Sequence, residues 1–263
     1  MSVRRFDKDI NQGLLLSLPF REGIGTITHD VAKPHHLLTQ LDPGGGSFAW
    51  GNLVTGCPYL DFITVGLGAT DGVYLNCPNA DTLDLDFISG DYSMVGWINH
   101  RPVGNLQPKI LVGRYRVDAA APPAAFGDGW EVYLETNAGI DYLELRHHHV
   151  SLGTTIANSR DGCYSTGWAT GSWDLMGITR HKVAGTSWPQ HYRNGLPLDM
   201  AYSASGLRDP DTSPSDLVIG ARYSKDNDWF DGMIWNLRVW ERGLGDYEMW
   251  KLFEMEKHLL GYS

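Results

Sequence analysis

The chain is short of positive charge: 21 lysines and arginines face 31 aspartates and glutamates, which gives a formal net charge of −10. A surface that binds nucleic-acid phosphates needs clustered Lys and Arg side chains. The basic residues here, such as Lys109, Arg146 and Lys182, are dispersed along the sequence. The charge pattern therefore predicts no nucleic-acid partner.

Cysteines and long apolar runs are scarce as well. The three cysteines, Cys57, Cys77 and Cys163, cannot all pair within one chain, and no disulfide framework is predicted. No apolar stretch approaches the ~20 residues that cross a bilayer. Asp7 and Lys8 interrupt the region where a secretory signal would be apolar. We expect a protein made in the cytoplasm without classical export and without membrane insertion.

Aromatic residues are plentiful, with ten Trp and twelve Tyr in 263 residues. Aromatic side chains suit the pleated surface of a sheet, and an all-β sandwich commonly reaches about 250 residues as one domain. No internal repeat or shift of composition divides the chain. One large β-rich core is expected.

The clearest local pattern lies at the C-terminal end. A short apolar run at 216–220 and a polar loop lead into 233–240, where period-two alternation predicts a strand. In that pattern Trp235 and Leu237 belong to one face. After Gly243, apolar residues recur at spacings of three and four, which predicts one short helix.

Further elements follow from alternation and from turn residues. Apolar or alternating runs predict strands at 14–19, 60–65, 72–75, 81–87 and 92–99, and a hairpin formed by 130–135 and 142–146. Pro-rich or polar composition predicts loops at 119–125, 159–172 and 203–215. The three consecutive histidines 147–149 are interpreted as an exposed strand end, because a strand would direct at most two of them to one metal ion.

Six phrases carry a family resemblance in order along the chain. They are Leu14-Leu-Leu-Ser-Leu-Pro-Phe with Asp30 behind it, the segments 92–98, 110–113, 172–179 and 192–195, and the terminal strand, loop, strand and helix. This series resembles laminin-G-like, concanavalin A-like jelly-roll domains, which also occur in phage structural proteins. The resemblance implies an all-β jelly-roll sandwich of two antiparallel sheets with a short C-terminal helix, spanning 14–263 after an N-terminal arm of 1–13.

The resemblance also implies a calcium ion as the one cofactor to consider. Asp30 matches the N-terminal ligand position of such relatives. Their second carboxylate, three residues beyond the Gly of Phe230-Asp-Gly232, is replaced here by Trp235, so Asp231 is the remaining candidate. Oxygen ligands of this kind are those that Ca²⁺ prefers.

A glycan site is predicted in the loop before the last strand. Asp226, Asn227 and Asp228 would accept hydrogen bonds from sugar hydroxyls, and Trp229 would stack on the ring. The competing interpretation is that Trp229 and Phe230 cap the sandwich while the polar residues turn the chain. Two further candidates for stacking, each in a Gly/Ser/Thr-rich context, are Trp168 and Trp188.

Enzyme activity is not predicted. No nucleophile elbow, phosphate-binding glycine loop or Cys-x-x-Cys pair is present, and the Glu-x-Asp-x-x-Glu strand of glycosidases with this fold is missing. Glu131 and Glu135 share one face of their strand, whereas Asp141 and Glu144 differ in parity. A solvated strand face explains such a pair better than the two carboxylates of a glycoside hydrolase.

The resulting hypothesis is a non-enzymatic surface or assembly protein, namely a phage or virus-like virion component such as a capsid decoration or fibre protein. Its partners would be other virion proteins, reached through the arm and loops in a homo-oligomeric assembly. The alternative is a glycan-binding, lectin-like adhesion module. A glycoside hydrolase is the least favoured of the three.

Overall fold

The computed structural model describes residues 9–66, 68–101, 109–118, 126–137, 139–149, 160–183, 186–202 and 206–262. Its elements are β1 (Leu14–Leu18), β2 (Ile27–His29), β3 (Leu37–Leu41), β4 (Ser47–Asn52), β5 (Pro58–Ile63), β6 (Tyr74–Cys77), β7 (Tyr92–His100), β8 (Lys109–Asp118), β9 (Phe126–Asn137), β10 (Ile140–His148), β11 (Arg160–Trp168), β12 (Asp174–Val183), β13 (Thr186–Arg193), β14 (Leu196–Pro197), β15 (Ala201–Tyr202), β16 (Leu217–Ile219), β17 (Gly232–Trp240) and α1 (Asp246–Glu256).

The strands form two antiparallel sheets. One has eight strands in the order β14-β13-β12-β7-β17-β5-β4, with β1 also paired to β17. The other has nine strands in the order β15-β11-β10-β9-β8-β16-β6-β3-β2. The predicted all-β sandwich of two antiparallel sheets with a short C-terminal helix is confirmed. Among the described residues, no helix has the length and apolar character that crossing a bilayer requires.

The eight-stranded sheet is buried on both faces at its centre. All nine residues of β7 are buried, because Met94 faces the core between the sheets and Trp97 faces the cluster under α1. The helix is anchored at its end by Glu256, which accepts hydrogen bonds from Trp97 Nε1 at 2.8 Å and from Arg238 Nη2 at 3.0 Å. At the centre of this sheet the outer face is therefore covered by the protein itself.

The described part of the predicted N-terminal arm lies against the chain's own body. The carbonyl of Ile10 accepts a hydrogen bond from Trp240 Nε1 at 2.8 Å, and that of Gln12 accepts one from Arg242 Nε at 2.7 Å. Residues 9–13 thus contact the end of β17. Residues 1–8 and the predicted loop at 119–125 lie outside the described residues.

Two element predictions were wrong. The segment 81–87 forms 3₁₀ turns at Asn79–Asp81 and Leu83–Leu85 instead of a strand, because it buries Thr82 and Leu85 at a spacing of three. Most of the predicted loop 159–172 is β11. Its residues are mostly polar or small, so the sequence shows no apolar alternation that would predict a strand.

The histidine run is buried rather than exposed. His147 lies near the end of β10 and His149 directly after it, where the segment after Gly206 packs. Each Nδ1 lies 2.7 Å from a backbone oxygen, that of Arg208 for His147 and that of Asp209 for His149. His147 also bonds the hydroxyl of Tyr92 at 2.7 Å. These partners satisfy the ring nitrogens, which is the condition for burying a polar side chain.

Candidate functional site

The β9–β10 hairpin presents a polar face on the outside of the nine-stranded sheet. Its inward side chains, Val132, Leu134, Leu143 and Leu145, belong to the core, so the alternate positions point outward. The register pairs Glu131 with Arg146, Tyr133 with Glu144 and Glu135 with Tyr142. Three glutamates therefore share one face with two tyrosines and an arginine.

An open groove lies at the β10–β11 side of this face. It has a volume of about 230 Å³ and is lined by Glu135, Tyr142, Glu144 and Tyr164; we call it the tyrosine groove. The rings of Tyr142 and Tyr164 meet edge to face, with centroids 5.5 Å apart and planes at 74°. Tyr164 comes from β11, where it pairs with Glu144.

The carboxylate of Glu144 is held by a cation. Arg146 donates to Glu144 Oε1 from Nη2 at 3.0 Å and from Nε at 3.1 Å, and its guanidinium lies 4.7 Å from the centroid of the Tyr133 ring. Such a charge-assisted pair fixes both side chains. Glu144 is therefore a rigid acceptor at the edge of the groove.

Glu131 lies deeper on the same face and is fully paired. It accepts hydrogen bonds from His148 Nε2 at 3.0 Å and from Arg146 Nη1 at 3.4 Å. Burial alone would raise the pKa of Glu131, but the bond and charge of His148, with Arg146, outweigh it and lower that pKa. Glu131 is ionised and serves to hold its neighbours.

Glu135 differs from both. It is half-buried, and within the part of the chain that the structure describes no Lys, Arg or His forms an ion pair with it. The tyrosine groove thus combines two aromatic rings, two hydroxyl groups, one carboxylate paired with arginine and one with no ion pair among the described residues. This set can pack against an apolar ring face and hydrogen-bond its substituents.

The loop predicted to bind glycan lies on the same outer face, over β8 and β16, but its indole is buried. Trp229 is 3% exposed, stacks on Tyr74 with centroids 6.2 Å apart, and donates from Nε1 to the Gly68 carbonyl at 2.9 Å. Phe230 packs in the main core. Trp229 therefore offers no open ring for stacking.

The polar residues of that loop have separate roles. Asp226 is exposed and accepts a hydrogen bond from Ser224, and the carbonyl of Asn227 accepts one from the Arg222 amide at 3.3 Å. Burial, with Glu131 and Asp226 nearby, raises the pKa of Asp228 to about 6 although Arg222 opposes the shift. Of the other stacking candidates, Trp168 is buried and Trp188 on β13 is 46% exposed.

The predicted calcium ligands are not brought together. Asp30 is buried and accepts from the amides of Ser17 and Ala32 at 2.7 and 2.8 Å and from His36 at 2.7 Å. Asp231 pairs with Arg101 at 2.8 Å. Ca²⁺ takes six to eight oxygens, and the described residues hold no group of three or more His, Cys, Asp or Glu placed for a metal ion. Both carboxylates act as internal anchors.

The sheet order and the position of α1 allow comparison with solved structures. The fold is similar to that of botulinum neurotoxin binding domains. A type C neurotoxin, whose cell entry depends on two ganglioside molecules, has a TM-score of 0.61 at 15% identity over 97% of this chain and 53% of that one. The binding domain of type DC in complex with SialylT gives 0.63 at 16% identity, over 94% and 52%. Its complex with rat synaptotagmin II gives 0.60 at 15%, over 94% and 52%.

At these identities the likeness shows the fold alone, and the chain spans about half the length of those structures. The sequence matches no family model and no curated protein.

Sequence reasoning predicted the strands that carry most of the groove but no site on them. The shared face of Glu131 and Glu135 followed from strand parity and was interpreted as solvated, and Tyr142 and Glu144 belong to the predicted hairpin, whose register the structure supplies. Tyr164 was missed because its strand has small and polar inward residues such as Ser165, which bonds His191 at 2.9 Å. Cys163, the residue directly before Tyr164, points inward and belongs to the core, but one apolar residue does not make an alternating pattern.

Proposed function

We propose that the chain is a non-enzymatic carbohydrate-binding module and that the tyrosine groove receives the glycan. The observation that supports this most strongly is the edge-to-face pair of Tyr142 and Tyr164 beside two carboxylates in an open groove. Aromatic rings pack against the apolar face of a sugar ring, and carboxylate oxygens accept hydrogen bonds from its hydroxyl groups. Binding sites commonly combine apolar walls with a few polar groups in this way.

Two features favour binding over hydrolysis. A glycosidase needs one carboxyl group that stays protonated to act as the general acid. Of the three glutamates on this face, two do not suit that role, because Glu144 is ion-paired with Arg146 and the pKa of Glu131 is lowered. The structural neighbours are binding domains, and the reported interactions of two of them, with gangliosides and with SialylT, support a ligand of the glycan class.

A glycan array followed by calorimetric titration tests the proposal. Tyr164→Ala should weaken the selected glycan by at least about tenfold, because it removes one wall of the groove. Tyr247→Ala is the matched control, since Tyr247 is an exposed aromatic on α1, away from the nine-stranded sheet. Circular dichroism would verify that both variants fold.

Three results would speak against the site. The array could contain no ligand, Tyr164→Ala could bind as tightly as the wild type, or Asp226→Ala in the neighbouring loop could abolish binding instead. The last result would place the glycan site in the loop that contains Asp226, as the sequence first suggested.

A second candidate function is assembly into a larger particle such as a virion, with the module displayed on its surface. An exposed apolar patch supports self-association: Leu196 on β14 and Tyr247 and Trp250 on α1 are 63%, 57% and 44% exposed. The rings of Tyr247 and Trp250 lie 5.9 Å apart, and β14 lies against α1. Patches of this kind mark protein interfaces, and a second copy of the chain is the partner we propose.

Sedimentation of the wild type and of Trp250→Ser tests the assembly proposal. The wild type should associate, and Trp250→Ser should shift it to monomer, whereas Leu83→Ser, at an exposed position in the 3₁₀ turn Leu83–Leu85, should not. Removal of residues 1–8 would test the arm in the same assay. A wild type that stays monomeric at about 100 μM, well above a micromolar Kd, would contradict self-association.

A further inference from the structure

The charges around the tyrosine groove do not cancel. Glu144 is ion-paired with Arg146, and Glu131 accepts hydrogen bonds from His148 and Arg146. Arg146 is directed toward Tyr133 and Glu131, so it does not serve Glu135. The one described lysine near this end of β9, Lys109, donates to the Arg101 carbonyl at 2.6 Å. The carboxylate of Glu135 is thus left for a ligand.

A carboxylate beside two tyrosine rings favours a cation over a neutral group. An ammonium group donates a hydrogen bond to a carboxylate and also neutralises its charge. The faces of Tyr rings attract the same charge. A hydroxyl or an acetamide group in that position would also donate a hydrogen bond to Glu135, but it would bring no positive charge to pair with the carboxylate and would gain nothing from the rings' quadrupole.

We infer that the glycan bound in the tyrosine groove carries a free, protonated amino group, as in an oligosaccharide of unacetylated 2-amino sugars. The amino group pairs with Glu135, and the sugar ring lies against Tyr142 and Tyr164. This inference rests on the proposed function, because it assumes that the groove binds a sugar. It adds the chemical class of that sugar.

Titration calorimetry with three β-1,4-linked oligosaccharides of equal length tests the inference: an oligomer of glucosamine, its N-acetylated form and an oligomer of glucose. The wild type should bind the free amine about tenfold more tightly than either neutral ligand. Glu135→Gln should lose most of this preference. Glu241→Gln removes the same charge from an exposed position directly after β17, a strand of the other sheet, and should keep the preference.

The possible outcomes separate the inference from the function on which it rests. Equal binding of the acetylated or glucose oligomer by the wild type would overturn the inference and leave carbohydrate binding intact. Binding of none of the three, together with an empty glycan array, would remove the proposed function itself. Equal losses of affinity for the glucosamine oligomer in Glu135→Gln and Glu241→Gln would mean that the ligand is attracted only by the net negative charge of the protein. Equally tight binding of acetyl-lysine amide would overturn the inference in favour of a peptide ligand.

Discussion

His36 connects three separate parts of the N-terminal region, and replacing it by glutamine should remove an alkaline transition in stability. Its side chain is 2% exposed and lies between two carboxylates. Nδ1 is 2.7 Å from Asp30 and Nε2 is 3.1 Å from Asp84, which lies in the 3₁₀ turn Leu83–Leu85. Asp30 in turn accepts the amide of Ser17 on β1. With an acceptor at each nitrogen, the ring is favoured in its doubly protonated form.

The size of the effect follows from the pKa. Burial lowers the pKa of His36, but the hydrogen bonds and charges of Asp30 and Asp84 outweigh it and raise it from 6.5 to about 9. A shift of roughly 2.5 units at 1.36 kcal/mol per unit stabilises the fold by about 3 kcal/mol. Because the folded-state value is the higher one, this contribution is complete below pH 6.5 and is lost as the pH rises through 9.

Urea unfolding of the wild type and His36→Gln at pH 6, 7.5 and 9.5 measures the contribution. The wild type should exceed the variant most at pH 6, and the difference should shrink by about 3 kcal/mol by pH 9.5. His29→Gln, at a mostly exposed ring on β2, is the control and should give a small, constant difference. A gap between the wild type and His36→Gln that does not change with pH would refute the ion-pair reasoning.

Two further predictions concern other strained or charged positions. Asp228→Asn should stabilise the protein by about 1–3 kcal/mol at pH 8. Burial raises the Asp228 pKa from 3.8 to about 6, so the charged form that prevails above pH 6 is penalised in the folded protein. The gain should largely vanish at pH 4 in the same unfolding assay. Asparagine also tolerates the φ of +53° at this position. Gly195→Ala should cost about 1–3 kcal/mol more than Gly171→Ala in thermal unfolding. Both glycines have φ near +78°, but only at Gly195 would a Cβ meet Trp250, at 2.8 Å from its Cα.

Where burial follows from apolar side chains, the sequence predicted the elements well. The strand β7 stands out because its apolar residues occupy both parities, which matches its burial between the core and α1. The β9–β10 hairpin followed from alternation on one face only. The terminal helix followed from its spacing, with Met249 and Leu252 buried as the periodicity requires.

Elements buried through hydrogen bonds were harder to predict. β11 has Ser165 on its inner face, where it forms a hydrogen bond with His191 of the opposite sheet. Because both residues are polar, the sequence does not indicate that either lies in the core. The same holds for His147 and its partner Tyr92. Burial in such pairs depends on which residue lies across the sandwich, and single-sequence periodicity carries no such information.

The last strand shows how one backbone feature changes a correct pattern. Its alternation predicted a strand, which is β17, but the pairing with β7 shifts between Trp235 and Arg238. Asn236 has a φ of +54° at that shift. Consequently Trp235 joins the cluster under α1 while Leu237 joins the core between the sheets, although two residues apart in a regular strand share a face.

The identity of the free carboxylate in the tyrosine groove depends on strand register in the same way. Glu131 and Glu135 share a strand face, and they differ because Glu131 lies opposite Arg146 whereas Glu135 lies opposite Tyr142. Closure of the hairpin by the pair Asn137–Ile140, with Gly139 at a φ of +77°, fixes that register. A shift by two residues would place Glu135 opposite Glu144 or Ile140 and would take Arg146 away from Glu131. The charge available to a ligand is therefore set by the turn of this hairpin, several residues away from the groove, as much as by the glutamate itself.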